Sequence, residues 1–207
     1  MTPTDRLDDA FALARALHAC HVRKGTQIPY LVHLMSVSAI VMEHGGTEDE
    51  AIAALLHDAI EDQGGTTARA KILERFGEDV TAIVDGCTDA DTIPKPPWRE
   101  RKEAYVAHIA DAAASVRRVS AADKLHNARA ILGDYRNEEI GNALWGRFNA
   151  DREEILWYYR ALADAFTRAE STSLTCELER TVAELELLVA TRDALPIIER
   201  GVARGTD

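Results

Sequence analysis

Two imidazoles and two carboxylates are the residues in this chain best suited to chemistry: His33, the adjacent pair His57-Asp58, and Asp123. Imidazole nitrogen and carboxylate oxygen together suit a divalent ion such as Mn²⁺, Fe²⁺ or Zn²⁺, and the lack of nearby thiolates argues against a soft-metal site. Manganese or iron is the first expectation, with zinc open. Such an ion lowers the pKa of a water toward neutrality and polarises a phosphoryl oxygen, which points to phosphoester hydrolysis. Glu61 follows His57, and Asp62 follows Asp58, by four residues, a spacing that puts each pair on one helix face. Carboxylates one turn from a metal can orient water or move protons, so Glu61 and Asp62 are the candidate catalytic pair. Asn127 bears the same relation to Asp123 and sets an amide, donor and acceptor at once, beside that residue.

Each signal is weak alone, because a single histidine is usually a core or capping residue and an acidic pair at a helix end is usually solvated. Their combination is harder to dismiss. Acids at a helix C-terminus oppose the helix dipole. Here they also follow the apolar run Ala53-Ala54-Leu55-Leu56, and a cation would supply the missing compensation.

The elements that must position these groups read as helices throughout. Leu7, Phe11, Ala14 and Leu17 form one stripe, and Arg23 to Pro29 breaks it. Leu31 to Met42 predicts a second helix, stopped at Gly45-Gly46, with His33 in its first turn. Thr47 and Glu50 have capping-box spacing, which starts a third helix that carries His57, Asp58, Glu61 and Asp62 at its end. Two short helices separated at Gly77 follow Gly64-Gly65. The breaker-rich stretch Asp85 to Pro97 is the best candidate for a mobile loop or lid. Helical spacing resumes over Trp98–Ile109, Val116–Leu132, Ile140–Trp145 and Asp151–Phe166. A last stripe of Leu174, Leu178, Val182, Leu185 and Val189 packs on the same chain or forms a dimer seam, so a homo-oligomer stays open. Residues after Pro196 read as a tail. Trp145, Trp157, Tyr158 and Tyr159 lie at helical spacing and read as core. The expectation is an all-α bundle in one domain over residues 1–170, with a C-terminal helix and tail at 171–207 packed on it.

Composition limits the partners. A net charge of −11 disfavours a broad face for a nucleic-acid polymer but permits a small anionic nucleotide met by a local basic cluster or a metal. Cys20, Cys87 and Cys176 lie far apart, which fits a reducing cytoplasm rather than a disulfide framework. No apolar run suggests a membrane span, and the N-terminus lacks the pattern of a secretion signal. Lys95 to Tyr105 is basic and aromatic beside the proline-rich loop, and Arg101, Lys102 and Tyr105 are candidates to close over phosphates.

Four segments resemble the HD-domain phosphohydrolases, and within them the hydrolase domain of RelA/SpoT-type alarmone enzymes and the stand-alone small alarmone hydrolases. They are Arg23-Lys24 with Pro29-Tyr30-Leu31-Val32-His33, the run from Ala53 to Asp62, Phe76-Gly77 with Val84-Asp85-Gly86-Cys87-Thr88, and Ala122 to Arg129. The resemblance covers roughly residues 5 to 165, and with no synthetase domain following, the chain looks like the stand-alone form. It implies a helical fold, one Mn²⁺ on His33, His57, Asp58 and Asp123, and removal of the 3′-pyrophosphate of (p)ppGpp to give GDP or GTP. Glu61 and Asp62 match the family's catalytic acids. Arg23 and Lys24 match residues that contact the nucleotide, and Asn127 matches one lining the same pocket. The chain departs from the family pattern at Leu34, Gln63 and Ala130. Two other readings compete: an HD phosphatase or phosphodiesterase acting on another nucleotide, and a module that senses a nucleotide without cleaving it.

Overall fold

The computed structural model describes residues 3–62, 64–89 and 96–194. Among them the chain is all-α, and its only extended pairing is an isolated bridge between Val22 and Pro29. The order is α1 (Asp5–Leu17), α2 (Tyr30–Glu43), α3 (Glu48–Leu56), α4 (Ala59–Asp62), α5 (Thr66–Cys87), α6 (Trp98–Asp111), α7 (Ala114–Arg136), a 3₁₀ turn (Gly141–Arg147), α8 (Arg152–Ala169) and α9 (Ser173–Ala194).

Helix α7 is the hub, packing against α2, α3, α5, α8 and α9. Its run Ser120-Ala121-Ala122-Asp123 is buried, and the small side chains let neighbouring helices close in around it. A carboxylate at position 123 is thereby carried into the core. Helix α9 turns Leu174, Leu178, Val182, Leu185 and Val189 inward against this hub and α8. Tyr158 and Tyr159 of α8 are buried, and Trp145 and Trp157 pack partly buried against the same core.

Thr47 and Glu50 make the capping box that opens α3, each side chain bonding the other's backbone N–H. Glu50 is itself buried, and both its carboxylate oxygens take Arg118 Nη1 of α7, at 2.7 and 2.6 Å. This contact fixes the register of α3 on α7, one helix leading to His57 and the other to Asp123.

The structure departs from the sequence reading at the end of α3. That helix stops at Leu56, and His57 and Asp58 lie in a turn before α4 rather than on a continuing helix. The His57 ring explains the break. Its Nδ1 donates to the Ala54 carbonyl at 2.8 Å, the acceptor that an unbroken helix would offer to the Asp58 N–H. Gly77 interrupts α5 with φ 85° and ψ −177°, a conformation open to glycine alone, and so divides the element into two helical pieces. The expected loop over 85–97 is shortened from its start, since α5 runs to Cys87, and residues 90–95 lie outside the described ones.

Replacing Glu50 with alanine removes the reciprocal cap and leaves Arg118 without its partner. The expected loss is about 2 kcal/mol of unfolding free energy, read as a lower urea midpoint at unchanged slope.

Candidate metal centre

Three elements converge on one point. α2 brings His33 at the end of its first turn, the α3–α4 turn brings His57 and Asp58, and the middle of α7 brings Asp123. His33 Nε2 lies 3.2 Å from Asp123 Oδ1 and 3.7 Å from Asp58 Oδ2. His57 Nε2 lies 3.0 Å from Asp58 Oδ2 and 3.7 Å from Asp123 Oδ1. His33, His57 and Asp58 each offer a donor atom within 4.8 Å of the others, the spread a single ion can gather.

The hydrogen bonds around these groups leave their inner atoms lone-pair donors. His57 Nδ1 donates to Ala54, so in the neutral ring Nε2 carries the lone pair, and that buried atom makes no hydrogen bond despite two carboxylate oxygens close by. Lone pairs facing lone pairs in the core are unfavourable unless a cation sits between them. His33 Nδ1 meets His126 Nδ1 at 2.8 Å, and burial lowers the His126 pKa to about 4; with His126 neutral, the tautomer in which His33 donates is the one that leaves His33 Nε2 for a metal ion. Tyr30 donates its hydroxyl to Asp58 Oδ2 at 2.5 Å. Asn127 Nδ2 and Lys124 Nζ donate to the two oxygens of Asp123 at 2.5 and 2.6 Å.

The electrostatics agree with the geometry. Burial alone would raise the pKa of both aspartates. The adjacent His57 outweighs it at Asp58, and Lys124 with the two imidazoles outweighs it at Asp123, so both carboxyls stay well below the usual range. Burial opposes a charge on His57, but Asp58 and Asp123 raise its pKa well above the usual imidazole value. The spot draws positive charge, as a proton or as a metal ion. The N and O donors of His33, His57 and Asp58 have the chemistry and spacing of a divalent-cation site, and Asp123 Oδ1 lies against both imidazoles.

Two cavities meet here. A polar chamber of 210 Å³ is lined by Asp58, Glu61, Asp89, Lys102, Asp123 and Lys124. A second cavity of 330 Å³ is lined by Arg23 and Lys24 among others, and the two share Tyr30 and Asn127 as a common wall. The loop carrying Arg23 is pinched shut by backbone bonds from Arg23 N–H to the Ile28 carbonyl and from Tyr30 N–H to the His21 carbonyl, both 2.8 Å. Arg23 then reaches Asn127 Oδ1 at 2.9 Å, and Lys24 reaches Asn149 Oδ1 at 2.8 Å.

The other expected site residues fall out unevenly. Glu61 borders the metal chamber, whereas the Asp62 side chain lies outside the described residues. Arg101 and Lys102 both turn onto Asp89, and Lys102 still borders the chamber. Tyr105 is not at a cavity mouth. It shares with Ile109 the inward stripe of α6, and its hydroxyl meets Ser120 in the core, so a direct substrate contact does not fit its position.

A model of the HD domain family matches residues 10–155. The chain belongs to the HD domain family. Over 103 residues the chain is 39% identical to a guanosine-3′,5′-bis(diphosphate) 3′-pyrophosphohydrolase, MESH1, of Xenopus tropicalis, covering 49% of this chain and 55% of that protein. A 3′-pyrophosphohydrolase of the same name from Haemophilus influenzae is 33% identical over 133 residues, 61% of this chain and 19% of the relative. The match thus spans about half the length of the first relative and a fifth of the second. The HD fold also superposes on a solved metazoan ortholog of SpoT, described as hydrolysing ppGpp, with a TM-score of 0.71 at 23% identity over 94% of this chain and 99% of the other.

Sequence reasoning passed over Tyr30, Lys124 and Asp89. The first two lie within the matching segments, three residues before His33 and next to Asp123, and that proximity was the available signal. Asp89, which neutralises Arg101 and Lys102, had none.

Replacing His57 or Asp58 with alanine should reduce bound divalent metal from about one ion per chain to near zero, measured by elemental analysis after dialysis. Replacing Tyr105 with phenylalanine should leave metal content unchanged.

Proposed function

We propose that the chain is a metal-dependent phosphohydrolase that removes the 3′-pyrophosphate of (p)ppGpp, with Mn²⁺ as its ion, acting in the cytoplasm. The observation carrying the metal-dependent part is the buried, unbonded His57 Nε2 facing two carboxylates. The substrate reading is supported by the named activities of the relatives and by a basic cavity adjoining the metal chamber.

His33, His57, Asp58 and Asp123 would hold the ion, which when bound activates water and polarises the phosphoryl group. Water adds to the phosphorus, the bond from phosphorus to the ribose 3′ oxygen breaks, and that oxygen takes a proton as pyrophosphate and GDP or GTP separate. Glu61, whose side chain lines the chamber, would accept the proton of the attacking water, with its sequence neighbour Asp62 in the same role. Lys102 and Lys124 put positive charge beside the phosphates. Arg23 and Lys24 hold the nucleotide in the adjoining cavity, and Asn127 joins the two compartments by bonding both Asp123 and Arg23. Lys124 also keeps Asp123 anionic and aimed inward.

Purified protein with Mn²⁺ should convert ppGpp to GDP and pyrophosphate, resolved by anion-exchange chromatography. Saturable ppGpp binding with no product under Mn²⁺, Fe²⁺ or Zn²⁺ would point instead to a sensing module. Glu61→Ala should retain the ion and lose turnover by about 10²- to 10⁴-fold; full activity in that variant would remove Glu61 from the reaction.

A further inference from the structure

The cavity beside the metal chamber contains a group that the proposed reaction does not use. Most of its polar lining is cationic or neutral, as an anionic ligand requires, yet Asp134 of α7 also lines it and is the one acid among the lining residues. A carboxylate in an anion's pocket needs N–H donors around it, from the protein, from the ligand or from both.

Its placement is specific. Asn127, Ile131 and Asp134 fall at four- and three-residue steps along α7 and line the same cavity, so they form one stripe along its wall. Asn127 marks the metal end. Asp134 lies seven residues further, about 10 Å by helical rise, a separation comparable to the length of a nucleoside. Between and around them, Leu144, Phe148 and Tyr159 supply apolar and aromatic walls suited to a flat ring.

Asp134 is also held in place. Its Oδ2 accepts from Arg147 Nη1 at 2.5 Å, which leaves Oδ1 and a second lone pair of Oδ2 for donors on a ligand. Arg147 in turn crosses the Arg23-Lys24 loop at Gly25, where a Cβ would stand 2.5 Å from the Arg147 Cγ and Cδ atoms. Gly25, with φ +72°, serves both the turn and this close approach. The guanidinium is thus lodged between loop and helix, and it orients the carboxylate.

We propose that Asp134, oriented by Arg147, is the specificity-determining residue that reads the base, accepting the ring N–H and the exocyclic amine on one edge of guanine. Adenine offers a ring lone pair in place of that N–H and is repelled by the carboxylate. Hypoxanthine keeps the ring N–H but lacks the amine. The inference rests on the nucleotide hydrolase reading above and supplies its base selectivity.

The test compares the 3′,5′-bis(diphosphates) of guanosine, inosine and adenosine as substrates for the Mn²⁺-loaded wild type and for Asp134→Ala and Asp134→Asn. Wild type should favour guanosine over inosine by about ten- to a hundredfold in kcat/KM, and adenosine should be poorer still. In Asp134→Ala the guanosine-to-inosine ratio should fall to near one, with Asp134→Asn between the two, since its amide oxygen still accepts one bond. Asp134 is partly exposed, and circular dichroism checks that both variants fold. A wild-type ratio kept in Asp134→Ala, or no guanosine preference in wild type, overturns this assignment while the hydrolase reading stands. A wild type that cleaves none of the three overturns that reading, and this inference with it.

Discussion

The structure depends on one electrostatic constraint: two carboxylates and two imidazole nitrogens share a buried point that only positive charge can make favourable. Taking ionised aspartates out of water costs several kcal/mol each unless a counter-charge compensates. Lys124 takes the outer oxygen of Asp123, whereas Asn127 and Tyr30, both uncharged donors, bond to Asp123 Oδ1 and Asp58 Oδ2, the oxygens that face the imidazoles. The inward-facing His57 Nε2 makes no hydrogen bond, while its other nitrogen is held on the Ala54 carbonyl. A hydrophobic replacement of the cluster would pack with less penalty. Keeping polar groups at such a point is the mark of a site built around a cation.

The helices serve this constraint in recognisable ways. Small residues around Asp123 let α7 lie at the centre, where neighbours from both halves of the chain reach it. The Glu50–Arg118 contact sets α3 on α7, and the His57 ring ends α3 at the place where Asp58 must turn inward. One side-chain bond therefore competes for a carbonyl in the last turn of a helix and turns the other ring nitrogen inward. The pinched loop after α1 places Arg23 against Asn127, which links the basic cavity to the polar chamber through a chain running Arg23, Asn127, Asp123.

Much of this was legible in the sequence. The capping box at Thr47 and Glu50, the break at Gly77 and the inward stripe of α9 each follow from local rules of hydrogen bonding and periodicity. The convergence of His33, His57, Asp58 and Asp123 could be anticipated because rare donors lay on helices at compatible positions. Other features could not be read, because they depend on which helix faces which. The end of α3 is set by competition for the Ala54 carbonyl, not by a breaker residue. Tyr105 looked like a substrate contact beside two basic residues, but the stripe it shares with Ile109 is the face that α6 buries. Asp89, too, is distant in sequence from Arg101 and Lys102 and carries no motif, yet it takes up both charges.

The most direct test of the central claim is anomalous diffraction at the manganese edge from crystals grown with Mn²⁺. The account predicts one strong peak per chain, bounded by Nε2 of His33, Nε2 of His57 and carboxylate oxygens of Asp58 and Asp123. Anomalous density elsewhere on the chain, with these four side chains closing on one another and no peak between them, would contradict it.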